Sequence, residues 1–289
     1  VGVDLAGSWK PSVSLLDALQ LASSRIDFVS VVEPMLPDGS FPELAATHPL
    51  AQIMEDLNNA AVVALDKLSK ERPGSTSQVL FGNAGSILVE GGRDHDLVVV
   101  GSQHKSLLES FFAGSVTKAL ATVCPCSVLI GKSEPKPGSG LTVLVAHDLS
   151  DYSSRAIEQF VAMDPKGIAR IVLVTADLTD PSLVAIAERH HPEMSGETLS
   201  VIEAKIERAQ TDAVEKLKSI APLVESTVHQ GDPKRVIAEV AKDIAADLVV
   251  VAAQGHSALE RLLIGSVAMH AVVREPYNVL LIRAKILPC

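Results

Sequence analysis

The sequence predicts an α/β chain in which one fold of parallel strands and helical crossovers is written twice. Two observations carry this. DLVVVGSQHKSLLESFFAGSVTKAL (Asp96–Leu120) and DLVVVAAQGHSALERLLIGSVAMHA (Asp247–Ala271) share Asp-Leu-Val-Val-Val, a small residue, a loop and then Gly-Ser-Val. In each half, apolar runs of strand length alternate with segments of helical spacing, the pattern of parallel strands joined by right-handed crossovers. The copies begin about 150 residues apart in a chain of 289, which suits two domains of ordinary size.

The second half reads most completely. LTVLVAHD (Leu141–Asp148) is an apolar strand ending in a carboxylate. SSRAIEQFVAM (Ser153–Met163) has helical spacing, with Asp151 or Ser153 as cap. ARIVLVTADL (Ala169–Leu178) is a buried strand, and a long amphipathic helix is expected from Glu197 to about Ile220. ESTVHQG (Glu225–Gly231) is a short strand. Asp232-Pro233 opens the next helix, with Pro in its first turn. The DLVVV strand, the Gly265-Ser266 helix and YNVLLIR (Tyr277–Arg283) complete the unit.

The first half repeats this order. VGVD (Val1–Asp4) matches VAHD (Val145–Asp148) without the preceding strand residues, so the start reads as truncated, as does Val1 in place of Met. SVSLLDALQLA is a helix and IDFVSVVE a strand. A Pro- and Gly-rich loop from Pro34 to Pro49 precedes a helix over about Ala51–Glu71. TSQVLFG is a strand whose Gly82 matches Gly231. A helix near Ala84–Glu90, DLVVVG and CSVLIG (Cys126–Gly131) follow. The linker EPKPGSG (Glu134–Gly140) divides the chain into 1–133 and 141–289.

Composition narrows the function classes. Hydrophobic content is 47% and aromatic content 3%, so the cores must be built from Val, Leu, Ile and Ala. A net charge of −10 leaves no dense basic face for nucleic acid. The longest apolar runs fall short of the ~20 residues that span a bilayer, and no secretory signal is visible. Cys124, Cys126 and Cys289 make no disulfide framework and fit a reducing cytoplasm. Cys124-Pro125-Cys126 reads as half a metal site or as two small apolar residues entering a strand; no second pair accompanies it.

Ligands of open parallel sheets bind at the carboxyl ends of the strands. Three features should converge there in each half. The first is the acid ending the first strand, Asp4 or Asp148, suited to ribose hydroxyls. The second is the loop after the fourth strand. The third is the helix start at Gly114-Ser115 or Gly265-Ser266-Val267, where free amides and the helix dipole favour an anion. Small residues after buried strands also serve tight packing alone, and spacing does not separate the two readings.

These residues resemble the universal stress protein family, whose nucleotide-binding members carry Gly-x2-Gly-x9-Gly-Ser/Thr. Gly101, Gly114 and Ser115 match in the first half, with His104 in place of the second Gly; Gly255, Gly265 and Ser266 match in the second, with Ala252 in place of the first. The resemblance covers nearly the whole chain. It implies two flavodoxin-like domains, each a five-stranded parallel sheet of order 3-2-1-4-5, paired through their last strands as a pseudo-dimer, with a further homodimer as one outcome. It also implies an adenine nucleotide such as ATP, with magnesium, and at most slow hydrolysis. An added methyl at Ala252 is mild unless the backbone there has positive φ, whereas His104 puts an imidazole beside the phosphate path. The second site therefore ranks above the first.

Other motifs are weaker. Gly131-Lys132-Ser133 looks like the tail of a Walker A loop, but Cys126 stands where its leading Gly belongs. Gly138-Ser139-Gly140 lacks the third Gly of a dinucleotide fingerprint, and no Gly-x-Ser-x-Gly elbow occurs. His190-His191 reads as surface, His147 as packing, and His256, Lys105, Arg261 and Arg274 as loop groups within reach of phosphate or solvent. The leading function is a nucleotide-dependent regulatory module. Its alternatives are a scaffold with decayed sites, and an α/β enzyme such as a nucleotidyl transferase, whose histidine phosphate motif neither LAGSWKPS nor LSDYSS supplies.

Overall fold

A computed structural model describes residues 1–21, 25–33, 49–102, 114–138, 140–177, 197–254 and 264–284. The first half contains α1 (Lys10–Leu19), β1 (Asp27–Val32), α2 (Pro49–Glu71), β2 (Thr76–Phe81), α3 (Ala84–Gly91), β3 (Leu97–Gly101), α4 (Ser115–Val123) and β4 (Ser127–Gly131). The second contains β5 (Leu141–Ala146), α5 (Asp151–Ala162), β6 (Ile168–Asp177), α6 (Glu197–Leu217), β7 (Leu223–Gln230), α7 (Pro233–Asp243), β8 (Leu248–Ala252), α8 (Ser266–Arg274) and β9 (Asn278–Ile282).

Helix starts follow local chemistry. The side chains of Asn83 and Asp232 accept from first-turn amides of α3 and α7, and Pro233 fills a first-turn position. The cap of α5 is Ser150, which accepts from Ser153 N, rather than Asp151 or Ser153. Ser150 is the residue whose backbone is still extended, with ψ 155°, so its hydroxyl faces the first turn. Gly82 and Gly231 both adopt positive φ, 139° and 128°, at the same turn of the repeat.

The second half forms parallel strands ordered β7-β6-β5-β8-β9. In the first half β1 and β2 pair in parallel, and β3 and β4 pair in parallel. The short segment Val1–Val3 lies between these pairs. Gly2 N donates to Val99 O at 2.8 Å, and Val3 N to Val29 O at 2.8 Å. This stub makes one bridge, Gly2 to Val29, and no longer ladder, which leaves β1 and β2 as a separate two-stranded sheet.

The halves join through β4 and β9, which pair antiparallel with Leu129 opposite Leu280 and complete a seven-stranded sheet. All five residues of each strand are buried. One face packs Val98, Val128 and Ile130 with Val249, Val279 and Leu281; the other packs Val99 and Leu129 with Leu248 and Leu280. Both cores therefore cross the seam.

Two cations finish it. Lys132, just after β4, donates from Nζ to the carbonyls of Ala271, Val272 and Glu275 at 2.9, 2.8 and 2.7 Å. Arg283, just after β9, donates from Nη2 to the carbonyls of Ala121 and Thr122 at 2.5 and 2.9 Å. Each half thus caps the carboxyl end of the other's last helix, where a positive charge is favoured.

Lys132 is 6% exposed, and burial pushes its ammonium down to about 8, with Glu275 opposing the shift. Replacing Lys132 by Met leaves helix-end carbonyls without donors and is expected to cost about 1–3 kcal/mol at pH 7, read from urea unfolding. The unfolded chain keeps this proton up to about 10.5, so it binds more protons than the native state from pH 8 to 10.5. Wild-type stability should therefore rise relative to the Met variant across that window. A difference that stays flat with pH would show that the ammonium is not held in this buried state.

Candidate functional site

The first-half strands end at a cavity of about 500 Å³ lined by Asp4, Ser8, Glu33, Gly101, Gly114 and Ser115 among others. All four first-half residues singled out by the sequence meet there. Asp4 follows the central stub, Gly101 ends β3, and Gly114-Ser115 opens α4. Gly114 is the N-cap with φ −61° and ψ 168°, and offers no side-chain cap. The first-turn amides of α4 have no intrahelical carbonyl to bond. Among the described residues, a Cβ on Gly114 would meet nothing within 4 Å.

Gly101 has a different reason to be glycine. A Cβ there would overlap the carbonyl of Ser8, at the entry to α1. The missing side chain makes room for protein backbone at a position that also lines the cavity. Asp4 is also engaged: its carboxylate accepts from Ser8 N at 2.9 Å and from Ser8 Oγ. Glu33, at the cavity rim, accepts from Ala84 N at 2.8 Å and holds the start of α3.

The second half places its counterparts on adjoining strand ends. Val145 pairs with Val250, which brings Asp148, after β5, beside the end of β8 at Ala252. Gly265 N donates to Ala253 O at 2.7 Å, fastening the start of α8 to that end. Gly265 caps α8 with φ −63° and ψ 151°, the same extended geometry as Gly114, and Ser266 and Val267 form the first turn. Asp148 Oδ1 accepts from Ser150 N at 3.0 Å and Ser150 Oγ at 2.6 Å, repeating the Asp4–Ser8 arrangement. Ser8 and Ser150 were missed by the sequence reading. A serine soon after each strand-ending acid is the signal that could have found them. Gly255, His104, Lys105, His256, Arg261, His190, His191 and Cys289 lie outside the described residues.

Other motifs find structural roles. Lys132 of the Walker-like step caps α8, and a Cβ on Gly131 would overlap Ser12. His147 is 3% exposed, with Nε2 3.2 Å from Ser154 Oγ and no partner at Nδ1 among the described residues. Among those residues, no helix is long and apolar enough to cross a membrane, and no cluster of three metal-ligating side chains occurs.

The described residues form a duplicated α/β chain with a small-residue helix start at the strand ends of each half. The universal stress protein family model matches residues 5–132 and again 141–283. The chain therefore belongs to the universal stress protein family, as a tandem member. A universal stress protein of Synechocystis is 27% identical over 148 residues, spanning 49% of this chain and 96% of the relative. One from Mycobacterium tuberculosis is 28% identical over 170 residues, spanning 57% of this chain and 60% of the relative. A universal stress protein of Archaeoglobus fulgidus shares the fold at TM-score 0.63 and 17% identity, covering 98% of this chain and 96% of its own.

Two measurements check the geometry. Gly101→Ala should destabilise the protein by about 1–3 kcal/mol in urea unfolding, because the methyl meets backbone that cannot rotate away. Burial lowers the His147 pKa, with Asp148 opposing and Lys216 adding to the shift. The unfolded chain therefore takes up this proton first as pH falls through 6.5. Wild-type stability should drop between pH 7.5 and 5.5 by more than that of His147→Leu; equal drops would remove His147 as the cause.

Proposed function

We propose that this chain is a stress-response regulator that binds an adenine nucleotide, ATP or a relative, at the carboxyl ends of its parallel strands. The observation that carries the reading is the first-half cavity, where Asp4 and the open helix start at Gly114-Ser115 line one space. Asp4 suits ribose hydroxyls, and the α4 amides with the helix dipole suit a phosphate. The second half repeats both features at Asp148 and Gly265-Ser266, with Ala252 as its milder departure, so each half is assigned a site. Magnesium would enter on the nucleotide's phosphates. The protein acts as a binding module, in which occupancy controls shape or partner choice and hydrolysis is at most slow. Domains 1–133 and 141–289 work as a pseudo-dimer joined through their last strands.

One observation favours a second reading, a scaffold without nucleotide. The Ser8 carbonyl fills the space toward which a side chain on Gly101 would point, so backbone already occupies part of that strand end.

Calorimetry and thermal shift with millimolar ATP, ADP and AMP separate the two. A nucleotide at 100 times its Kd should stabilise the native state by about 2.7 kcal/mol. Gly114→Val should remove the first half's share of the heat and Gly265→Val the second's. Absence of both heat and shift with all three nucleotides would leave only the scaffold.

A further inference from the structure

Cys124 and Cys126 flank Pro125 at the join between α4 and β4, beside the seam. Both are free thiols with Sγ atoms 3.7 Å apart. They are 1% and 5% exposed, immediately after Val123, which is 57% exposed.

The internal repeat says what kind of group belongs at Cys124. Cys124 is the C-cap of α4, and Glu275 is the C-cap of α8; Pro125 and Pro276 follow each. Lys132 of the first half reaches the Glu275 end, and Arg283 of the second half reaches the Cys124 end. At one end Lys132 donates to the Glu275 backbone carbonyl and feels the charge of its carboxylate, which lies 2.8 Å from His270 Nε2. At the other end the equivalent acidic position holds a thiol, and Arg283 Nε is buried without a partner among the described residues. A thiolate at Cys124 restores the anion that the other end possesses.

We propose that Cys124 and Cys126 form an oxidisable dithiol, with Cys124 as the attacking thiolate, Cys126 as the thiol that closes the disulfide, and a hydroperoxide as the oxidant. The two sulfurs divide the roles. The contact from Cys126, and more weakly Arg283, holds the Cys124 thiol down to about 7, while the same neighbour and burial push Cys126 up. A thiol with this pKa is about half ionised at neutral pH. Cys124 is extended and the chain bends at Pro125 and Cys126, which keeps the two Cα atoms within the about 7 Å that a disulfide can bridge.

The step balances. The Cys124 thiolate attacks a peroxide oxygen, the O–O bond breaks, and a sulfenic acid and a hydroxide or alkoxide form. Cys126 then gives up its proton and attacks the Cys124 sulfur. The S–S bond forms, the S–O bond breaks, and the oxygen leaves as water. Two thiols and one hydroperoxide become one disulfide, one alcohol or water, and one water. Closure withdraws the anion from Arg283, which caps the last helix of the first domain.

The test uses the full chain carrying Cys289→Ser, treated with hydrogen peroxide while folded. The expected result is an intact-mass loss of about 2 Da, mapped to a Cys124–Cys126 link, with a rate that rises through pH 7. Cys126→Ser should stop at a sulfenic acid that dimedone traps on Cys124. Arg283→Gln should slow the reaction of Cys124 with peroxide several-fold, and Arg283→Lys, which keeps the charge, should restore most of it; circular dichroism checks that both variants fold. No mass loss in folded protein under conditions that oxidise glutathione would overturn the proposal. A rate that ignores both pH and Arg283 would also overturn it, because the thiolate would then have no part.

Discussion

The antiparallel pairing of β4 with β9 is the constraint on which the other features depend. Both strands are buried along their whole length and would otherwise be apolar sheet edges. Pairing them removes both edges at once and makes each face of the sheet a core shared by the two halves. The ladder leaves the carboxyl ends of α4 and α8 beside it with exposed carbonyls. Arg283 and Lys132 cover those carbonyls from the opposite half. Neither half can retreat from the seam without uncovering a helix end in its partner.

This pairing also sets where ligands can sit. Strands are parallel within each half and antiparallel across the seam, so the carboxyl ends of the two halves point in opposite directions along one sheet. The amino ends of the first-half strands consequently face the carboxyl end of β9. There a cavity of about 1060 Å³ is lined by Asp27 and His95 from one half and Arg155 and Ala284 from the other. His95 Nε2 lies 2.9 Å from Asp27, whose carboxyl is held down to about 2 by hydrogen bonds from Thr76 and His95. This His–Asp pair belongs to the far end of the strands from Asp4, and the two environments stay separate.

The repeated elements were legible because their signals are local. An apolar run ending at Asp148 or Gly101, and Pro233 behind Asp232, mark strand ends and helix starts without reference to the rest of the chain. The strand-end candidates were legible for the same reason. Lys132 was not, since the carbonyls it caps lie 139 to 143 residues away and a lone Lys after a strand carries no sign of them. Arg283 reaches back 161 and 162 residues. The packing role of Gly101 was hidden for a related reason: only the path of α1 brings the Ser8 carbonyl against it.

That path changes the meaning of the unequal glycines. Helix α1 begins at Lys10, six residues after Asp4, whereas α5 begins at Asp151, three residues after Asp148. The longer entry in the first half carries the Ser8 carbonyl over the end of β3, and a side chain at position 101 has no room. The shorter entry places Ser150 at the helix start, where its hydroxyl bonds Asp148 and caps α5 in one stroke. Ala252 therefore stands at the end of β8 in a half whose crossover is built differently. Its methyl follows from the length of the entry loop and is no sign by itself that a ligand site has been lost. The two helix starts keep the same extended geometry at Gly114 and Gly265, so this shared element persists where the loop lengths diverge.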